Sequence, residues 1–363
     1  MVRVLHVVDS MDRAGQETFI MNVYRAMDRS KVQFDFLQFQ EGPADFDEEI
    51  LALGGKLHYA IHKRQGLKAS MDQIKQVVAD GQYKIVHRHY SNASMAIDLM
   101  AAKRGGATCL ISHSHNTSSN NVAMHKLLRF PLYRVSNWHL ACSEGAGEWM
   151  FGEKPFHVIP NGIDREKFTY NATASMRIRE EFDITEDQLV FGHVGRFSEV
   201  KNHKFILEIF REIVEIEPSS RLLLVGTGPL RPAMEQWVKL NQLDEHVHFL
   251  GVRDDVADIL SALNCFLMPS LYEGLPVTLV EAQATGLPCL VSDNITKEIA
   301  ITQLIEQLNL EEAARVWAVK AIEMSVWPRI DTTEDIKRSG YDIKDVAMTL
   351  QNLYLEAANK SKK

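Results

Sequence analysis

At 363 residues, with 45% hydrophobic and 24% charged side chains, the chain has the balance of a soluble globular protein and a length that suits two domains. A formal net charge of −8 argues against a nucleic-acid binder, and no apolar run approaches the roughly 18 residues that a bilayer span needs. Residues 1–165 carry 19 Lys and Arg against 17 Asp and Glu, or +2; the other 21 of 40 cations and 31 of 48 acids leave −10 for the remainder.

The opening MVRVLHVVDS reads as a strand rather than a targeting segment, so a cytoplasmic protein is expected. In the first half, strand-like runs at 2–8, 32–39, 85–87, 108–112, 138–141 and 157–159 alternate with helical periodicity at 17–27, 71–79, 94–102 and 122–135. Such alternation predicts a parallel sheet with helices on both faces. The polar stretch IPNGIDREKFTYNATAS then breaks the rhythm and places the expected domain boundary at 165.

The second half resumes with strands at 189–194, 221–225, 247–250, 265–268 and 289–291, and helices at 203–215, 230–240, 256–262 and 277–284. Past residue 300 only helices are expected, at 311–323 and 343–357. The last carries an apolar stripe of Leu350, Leu353, Tyr354 and Ala357 that must be buried, packing back onto the first domain being one solution. The expected fold class is α/β: two Rossmann-like domains, 1–165 and 166–340, facing across a cleft, and a terminal helix at 341–363. Cys109, Cys142, Cys265 and Cys289 lie in or beside apolar runs without paired spacing, as reduced core thiols would.

The segments that could carry chemistry follow strands. Ala14–Gly15 precedes a helical run, where a glycine lets a ligand approach the helix N-terminus. ISHSHNT puts His113, His115 and Asn116 at a strand end; strand alternation is expected to set the two imidazoles on opposite faces, and no third ligand for a metal is apparent. HKLLRFPLYRVSNW interleaves Lys126, Arg129 and Arg134 with apolar side chains, as a helix lying on a membrane surface would, with Pro131 interrupting it; a core-facing stripe with solvated cations is the alternative. In GRFSEVKNH, Gly195 ends a strand, and Arg196 and Lys201 follow in one loop as paired cations for a leaving diphosphate. GTGPLR has Gly226 and Gly228 after a strand, like a phosphate loop, and Val252–Arg253 fits the border of a nucleotide base. In YEGLPVTLVEAQA, Glu273, Gly274, Leu275 and Pro276 lead into a helix that bears Glu281.

PNGID, GRFSEVKNH, GTGPLR, HFLG and EGLPVTLVE, in that order, resemble glycosyltransferase family 4, the retaining nucleotide-sugar transferases of the GT-B fold. The resemblance covers roughly residues 1 to 295, and HSHNT with SDNITKEI is similar to the branch that builds exopolysaccharides and capsules. It implies that Arg196 and Lys201 hold the diphosphate of a nucleotide diphosphate sugar, in the first place a UDP-sugar, with the backbone of Gly274, Leu275 and Pro276 completing the cradle. Glu273 then meets the donor sugar, Glu281 the ribose, and His115, with His113 in reserve, the sugar from the first domain. The acceptor implied is a saccharide or a polyprenyl-linked saccharide. No cofactor is expected, and activity is expected without a bound divalent metal, the cationic side chains and a helix N-terminus taking its electrostatic role. Gly15 matches the second glycine of the family's N-terminal pair; Ala14 replaces the first. A GT-B-fold epimerase and a catalytically silent sugar-nucleotide-binding protein are the competing readings.

Overall fold

The computed structural model describes residues 1–39, 42–119, 121–274 and 276–360. Two compact units emerge: Met1–Gly162 with the chain from Gly340 onward, and Ile163–Ser339.

The first unit is a parallel sheet in the order β3-β2-β1-β4-β5-β6-β7. Its strands are β1 (Val2–Val8), β2 (Val32–Gln38), β3 (Leu57–Tyr59), β4 (Ile85–Tyr90), β5 (Cys109–Ser114), β6 (Trp138–Ala141) and β7 (His157–Val158). Between them run α1 (Gly15–Ala26), α2 (Asp47–Ala52), α3 (Leu67–Asp80), α4 (Met95–Arg104), α5 (Val122–Val135) and α6 (Glu144–Phe151). Strands β2 and β5 are buried along their whole length, although VQFDFLQ and CLISHS both carry polar side chains. Three short elements, β3, α2 and α6, were absent from the sequence expectation.

In the second unit α7 (Ala172–Glu181) precedes β8 (Val190–Val194), followed by α8 (His203–Ile216), β9 (Arg221–Val225), α9 (Arg231–Leu240), β10 (Val247–Gly251), α10 (Val256–Ala262) and β11 (Cys265–Met268). Then come α11 (Val277–Ala284), β12 (Cys289–Ser292), β13 (Ile305–Leu308), α12 (Ala314–Ser325) and α13 (Thr333–Arg338). The sheet order is β10-β9-β8-β11-β12-β13, all parallel. Strands therefore do not stop at residue 300. The run IEQL, half-buried at the sheet edge, pairs with β12 but is too polar and short to stand out in sequence.

The terminal helix α14 (Ile343–Lys360) does pack back onto the first unit. Its buried stripe, Ile343, Val346, Ala347, Leu350, Leu353, Tyr354 and Ala357, recurs every three to four residues and joins the core of β1, β2 and α1. Pro131, expected to interrupt its helix, sits inside a continuous α5. A proline there strands the carbonyl of Leu127, and that residue is 72% exposed, so water can satisfy it. All four cysteines are free and buried.

Buried charge is handled differently in the two units. Asp98 accepts from Arg88 Nε and Lys63 Nζ, both at 2.9 Å, and Arg88 also donates to Asp9 at 2.8 Å. Arg329 has carbonyls instead: its guanidinium donates to Thr285, Leu260, Ser261 and Leu263, the last at 2.6 Å, closing the C-terminal ends of α10 and α11.

Candidate functional site

Loops at the carboxyl edge of the second sheet bring the predicted acid and base together. After β8 come Gly195, the exposed Arg196 and a short turn, Glu199–Lys201. Asn202 follows at φ 52°, a left-handed conformation that asparagine tolerates. Its amide donates to the Pro269 carbonyl at 3.1 Å, and the Leu271 N–H donates to the Val200 carbonyl at 2.8 Å. Beyond β12, Ser292 Oγ donates to Ser270 at 2.6 Å, Asn294 Nδ2 donates to Leu271 at 3.1 Å, and Ile295 forms a parallel bridge to Glu273. The outcome is an ion pair of 2.5 Å between Lys201 Nζ and Glu273 Oε1, both side chains mostly buried. Asn202 and Asn294 were not singled out in the sequence, because their partners lie on segments distant in the chain.

Gly195 is needed for this arrangement. A Cβ there would meet Lys201 Cε at 3.3 Å and His193 Nε2 at 2.7 Å, so the lysine stem lies across a bare backbone. Pro276 caps α11 without a side-chain hydrogen bond, leaving first-turn N–H groups for a ligand. Ser270 Oγ and Thr278 Oγ1 nearby in sequence are buried with no partner. Gly274 is half-buried, and Leu275, a predicted member of the cradle, lies outside the described residues. On α11, burial holds the Glu281 carboxyl up at about 7, with only Lys167 opposing it.

Two predicted features also have contacts within the fold. A Cβ on Gly226 would collide with the Gly195 carbonyl and one on Gly228 with the Phe197 backbone, and the Gly226 N–H donates to Gly251 at 2.7 Å. Loop packing thus explains both glycines without a phosphate. Val252 is exposed, whereas Arg253 is held by Glu181 at 2.6 Å and Asp255 at 2.8 Å.

In the first unit, a Cβ at Gly15 would meet nothing within 4 Å, so the fold itself does not demand that glycine. Glu17, one turn into α1, is buried, and desolvation pushes its carboxyl up to about 7. His113 and His115 share one sheet face, with ring centroids 4.2 Å apart, contrary to expectation: residues two apart on a strand point the same way. They join His6 of β1 and His87 and His89 of β4. His6 Nδ1 faces His89 Nε2 at 3.0 Å, His89 Nδ1 faces His115 Nε2 at 2.9 Å, and His87 Nε2 faces His113 Nδ1 at 3.2 Å. Tyr354 of α14 closes the second row, its hydroxyl 2.7 Å from His87 Nδ1.

Burial lowers the pKa of every one of these imidazoles, that of His6 and His115 to about 3, so the stack is neutral at pH 7. Each nitrogen pair then shares one proton, which couples the tautomers of neighbouring rings. His115 Nδ1 is closed off and unpartnered, so neither of its nitrogens is open to a ligand in this arrangement. A third histidine does approach the pair, contrary to expectation: nitrogens of His89, His113 and His115 fall within 4.8 Å of one another. Within that trio the rings are tilted by 30° to 35° to one another, and His89 Nδ1 and His115 Nε2 are already paired with each other. The chain's Asp-x-Asp triplet, Asp45–Phe46–Asp47, is taken up locally: Asp45 accepts from the Arg13 N–H at 2.9 Å and Asp47 from Gln38 Nε2 at 2.7 Å.

The pattern described as Glycosyltransferase Family 4 matches residues 13–167, and that described as Glycosyl transferases group 1 matches 188–316. The EpsF glycosyltransferase of Bacillus subtilis (strain 168) is 38% identical over 97% of this chain and 96% of its own length. An Escherichia coli UDP-Gal:alpha-D-GlcNAc-diphosphoundecaprenol alpha-1,3-galactosyltransferase is 29% identical over 62% of this chain and 61% of its own. In fold, the chain is similar to HepE of Anabaena, solved with UDP-glucose, at a TM-score of 0.75 and 15% identity over 99% of this chain and 100% of that one. No described helix is long and apolar enough to cross a membrane. With an identity of 38% sustained along nearly the whole length and two Rossmann-like sheets, the chain belongs to glycosyltransferase family 4, enzymes of the GT-B fold.

Proposed function

We propose that this glycosyltransferase moves a hexose or N-acetylhexosamine from a UDP-sugar, with retention, onto a saccharide or polyprenyl-linked saccharide in exopolysaccharide or capsule synthesis. The observation that carries the reading is the Lys201–Glu273 pair beside the uncapped start of α11. When the bond to the sugar breaks, negative charge grows on the diphosphate; Lys201, Arg196 and the helix N-terminus are placed on one sheet edge to stabilise it. Glu273, held by Lys201 and by its bridge to Ile295, accepts from hydroxyls of the sugar. No carboxylate declares itself a nucleophile, so the acceptor attacks from the leaving-group side and the departing phosphate takes its proton. A UDP-linked donor and a diphosphate-lipid acceptor are both named for the E. coli relative, which supports these classes here.

A thermal-shift screen against UDP-sugars tests the donor. The matching sugar at 100 times its dissociation constant adds about 2.7 kcal/mol of stability. A screen in which no UDP-sugar raises the melting temperature removes the reading, and transfer that stops in EDTA removes its metal-free form.

Glu281 gives the binding step a pH dependence. Its carboxyl is raised to about 7, so the folded chain binds a proton there that the unfolded chain releases near 4.5; that contribution to stability is complete below 4.5 and is lost as pH rises through 7. A ribose donating to the carboxylate favours the ionised form. Affinity for UDP-glucose therefore improves up to about tenfold from pH 6 to pH 8, and Glu281→Gln flattens the profile. Calorimetry at the two pH values checks this; an unchanged affinity in the unsubstituted chain discards the ribose role.

A further inference from the structure

Behind the Lys201–Glu273 pair, the second unit buries a hydrogen-bond acceptor that has no donor. His193 of β8 is fully buried, and its Nδ1 lies 2.8 Å from the Leu267 carbonyl of β11. A carbonyl can only accept, so Nδ1 carries the proton and donates it. Burial holds the pKa of this imidazole well below its ordinary value, so the ring is neutral and Nε2 presents a lone pair. Among the described residues that lone pair has no partner. A buried polar atom left unpaired is destabilising, and its retention calls for a reason.

What borders Nε2 is the Lys201 stem. Strand alternation sets His193 and Gly195 on one face, and the space over the bare glycine is shared: the point a Cβ would occupy is 2.7 Å from His193 Nε2 and 3.3 Å from Lys201 Cε. The ammonium begins one bond beyond that carbon. It has three N–H groups to place; Glu273 takes one, at 2.5 Å, and a donor's diphosphate takes another. His203, which opens α8, is the other titratable neighbour. It is held on Phe197 with ring centroids 4.0 Å apart and meets His193 edge-on at 4.9 Å, and neither of its nitrogens has a hydrogen-bond partner among the described residues. The lysine is therefore the flexible donor within reach of Nε2.

We propose that His193 is a positioning residue for sugar transfer: its Nε2 accepts the third N–H of the Lys201 ammonium when the donor is bound, and so aims that charge at the diphosphate. The inference rests on the role proposed for Lys201 and deepens it by naming the group that orients the cation. Two substitutions separate this role from a structural one. In His193→Asn the amide nitrogen takes the place of Nδ1 and keeps the bond to Leu267, but nothing replaces Nε2; in His193→Gln the amide oxygen reaches the place of Nε2, and the bond to Leu267 is lost. Turnover is read per folded enzyme as UDP release from whichever of UDP-glucose, UDP-galactose and their N-acetylamino forms the chain cleaves fastest. His193→Asn lowers kcat about tenfold with KM for the donor within twofold, whereas His193→Gln stays within threefold of the unsubstituted chain. In a Lys201→Ala background His193→Asn adds less than a twofold loss, because the two residues act as one unit. The opposite order, with asparagine the better substitute, would mark a residue that merely ties β8 to β11 and would overturn the proposal, as would a loss that persists without Lys201. Should Lys201→Ala itself leave kcat unaltered, the donor reading fails and takes this inference with it; should it cost the expected hundredfold while His193→Asn costs nothing, this inference alone falls.

Discussion

Lys201→Ala lowers sugar transfer at saturating donor by on the order of a hundredfold, while the fold is retained. The ammonium is delivered by a turn whose position depends on Asn202 and Gly195, and it ends 2.5 Å from Glu273. A cation aimed at charge that appears only as the bond breaks acts on kcat, and losing one such donor costs about 10² to 10³ in rate. Both side chains are largely buried, so stability falls as well, and the rate is read per folded enzyme. Lys201→Arg recovers only part of the rate: the broader guanidinium does not reproduce the compact charge that fits over Gly195. Glu273→Ala is expected to match the loss. Either alanine variant staying within about threefold of the unsubstituted enzyme in steady-state kinetics would show that the pair is merely structural.

Asp98→Ala destabilises the first unit by about 3–5 kcal/mol, because, among the described residues, it strips the one carboxylate paired with Lys63 and one of the two paired with Arg88. Both guanidinium and acid are essentially without solvent exposure, so water cannot replace the lost partner. Asp98→Asn keeps a hydrogen-bond acceptor but not the charge and falls between. Urea unfolding followed through the first unit gives the answer, and a loss under 1 kcal/mol would mean that the cations relax into solvent. Since Arg88 also ties the Val7 and His89 carbonyls, at 3.1 and 2.6 Å, the same change loosens the strand that positions the histidine stack.

The sheet edge that carries the proposed donor site was legible before any coordinates. Arg196, Lys201 and Glu273 lie in loops that follow strands, and Glu281 lies on the helix that follows one of them; parallel α/β sheets gather such loops at one edge. The Gly226 and Gly228 loop has a second reason for its glycines: a glycine that frees space for a phosphate and one that frees space for a neighbouring backbone look alike in sequence, and here Gly195 to Phe197 pack against them. Arg253 pairs with Glu181 and Asp255, partners that its sequence position does not reveal. The two His-x-His spacings, at 87–89 and 113–115, held a signal that alternation alone could decode, since both members of each pair must share a face. That His6 would complete the stack depended on the register of β1 against β4, where His6 pairs with His87.

By itself the sequence determined the alternation of strands and helices, the buried stripe of α14 and the family, because periodicity and ordered motifs are local properties that survive without contacts. Tertiary structure decided which polar groups are committed and which remain for a ligand. Lys201 meets Glu273 although 72 positions separate them, His115 is linked to His6 through His89, and Pro131 is absorbed into α5. Such pairings follow from strand register and loop closure, which depend on every segment of a unit at once and leave no mark at the residues themselves.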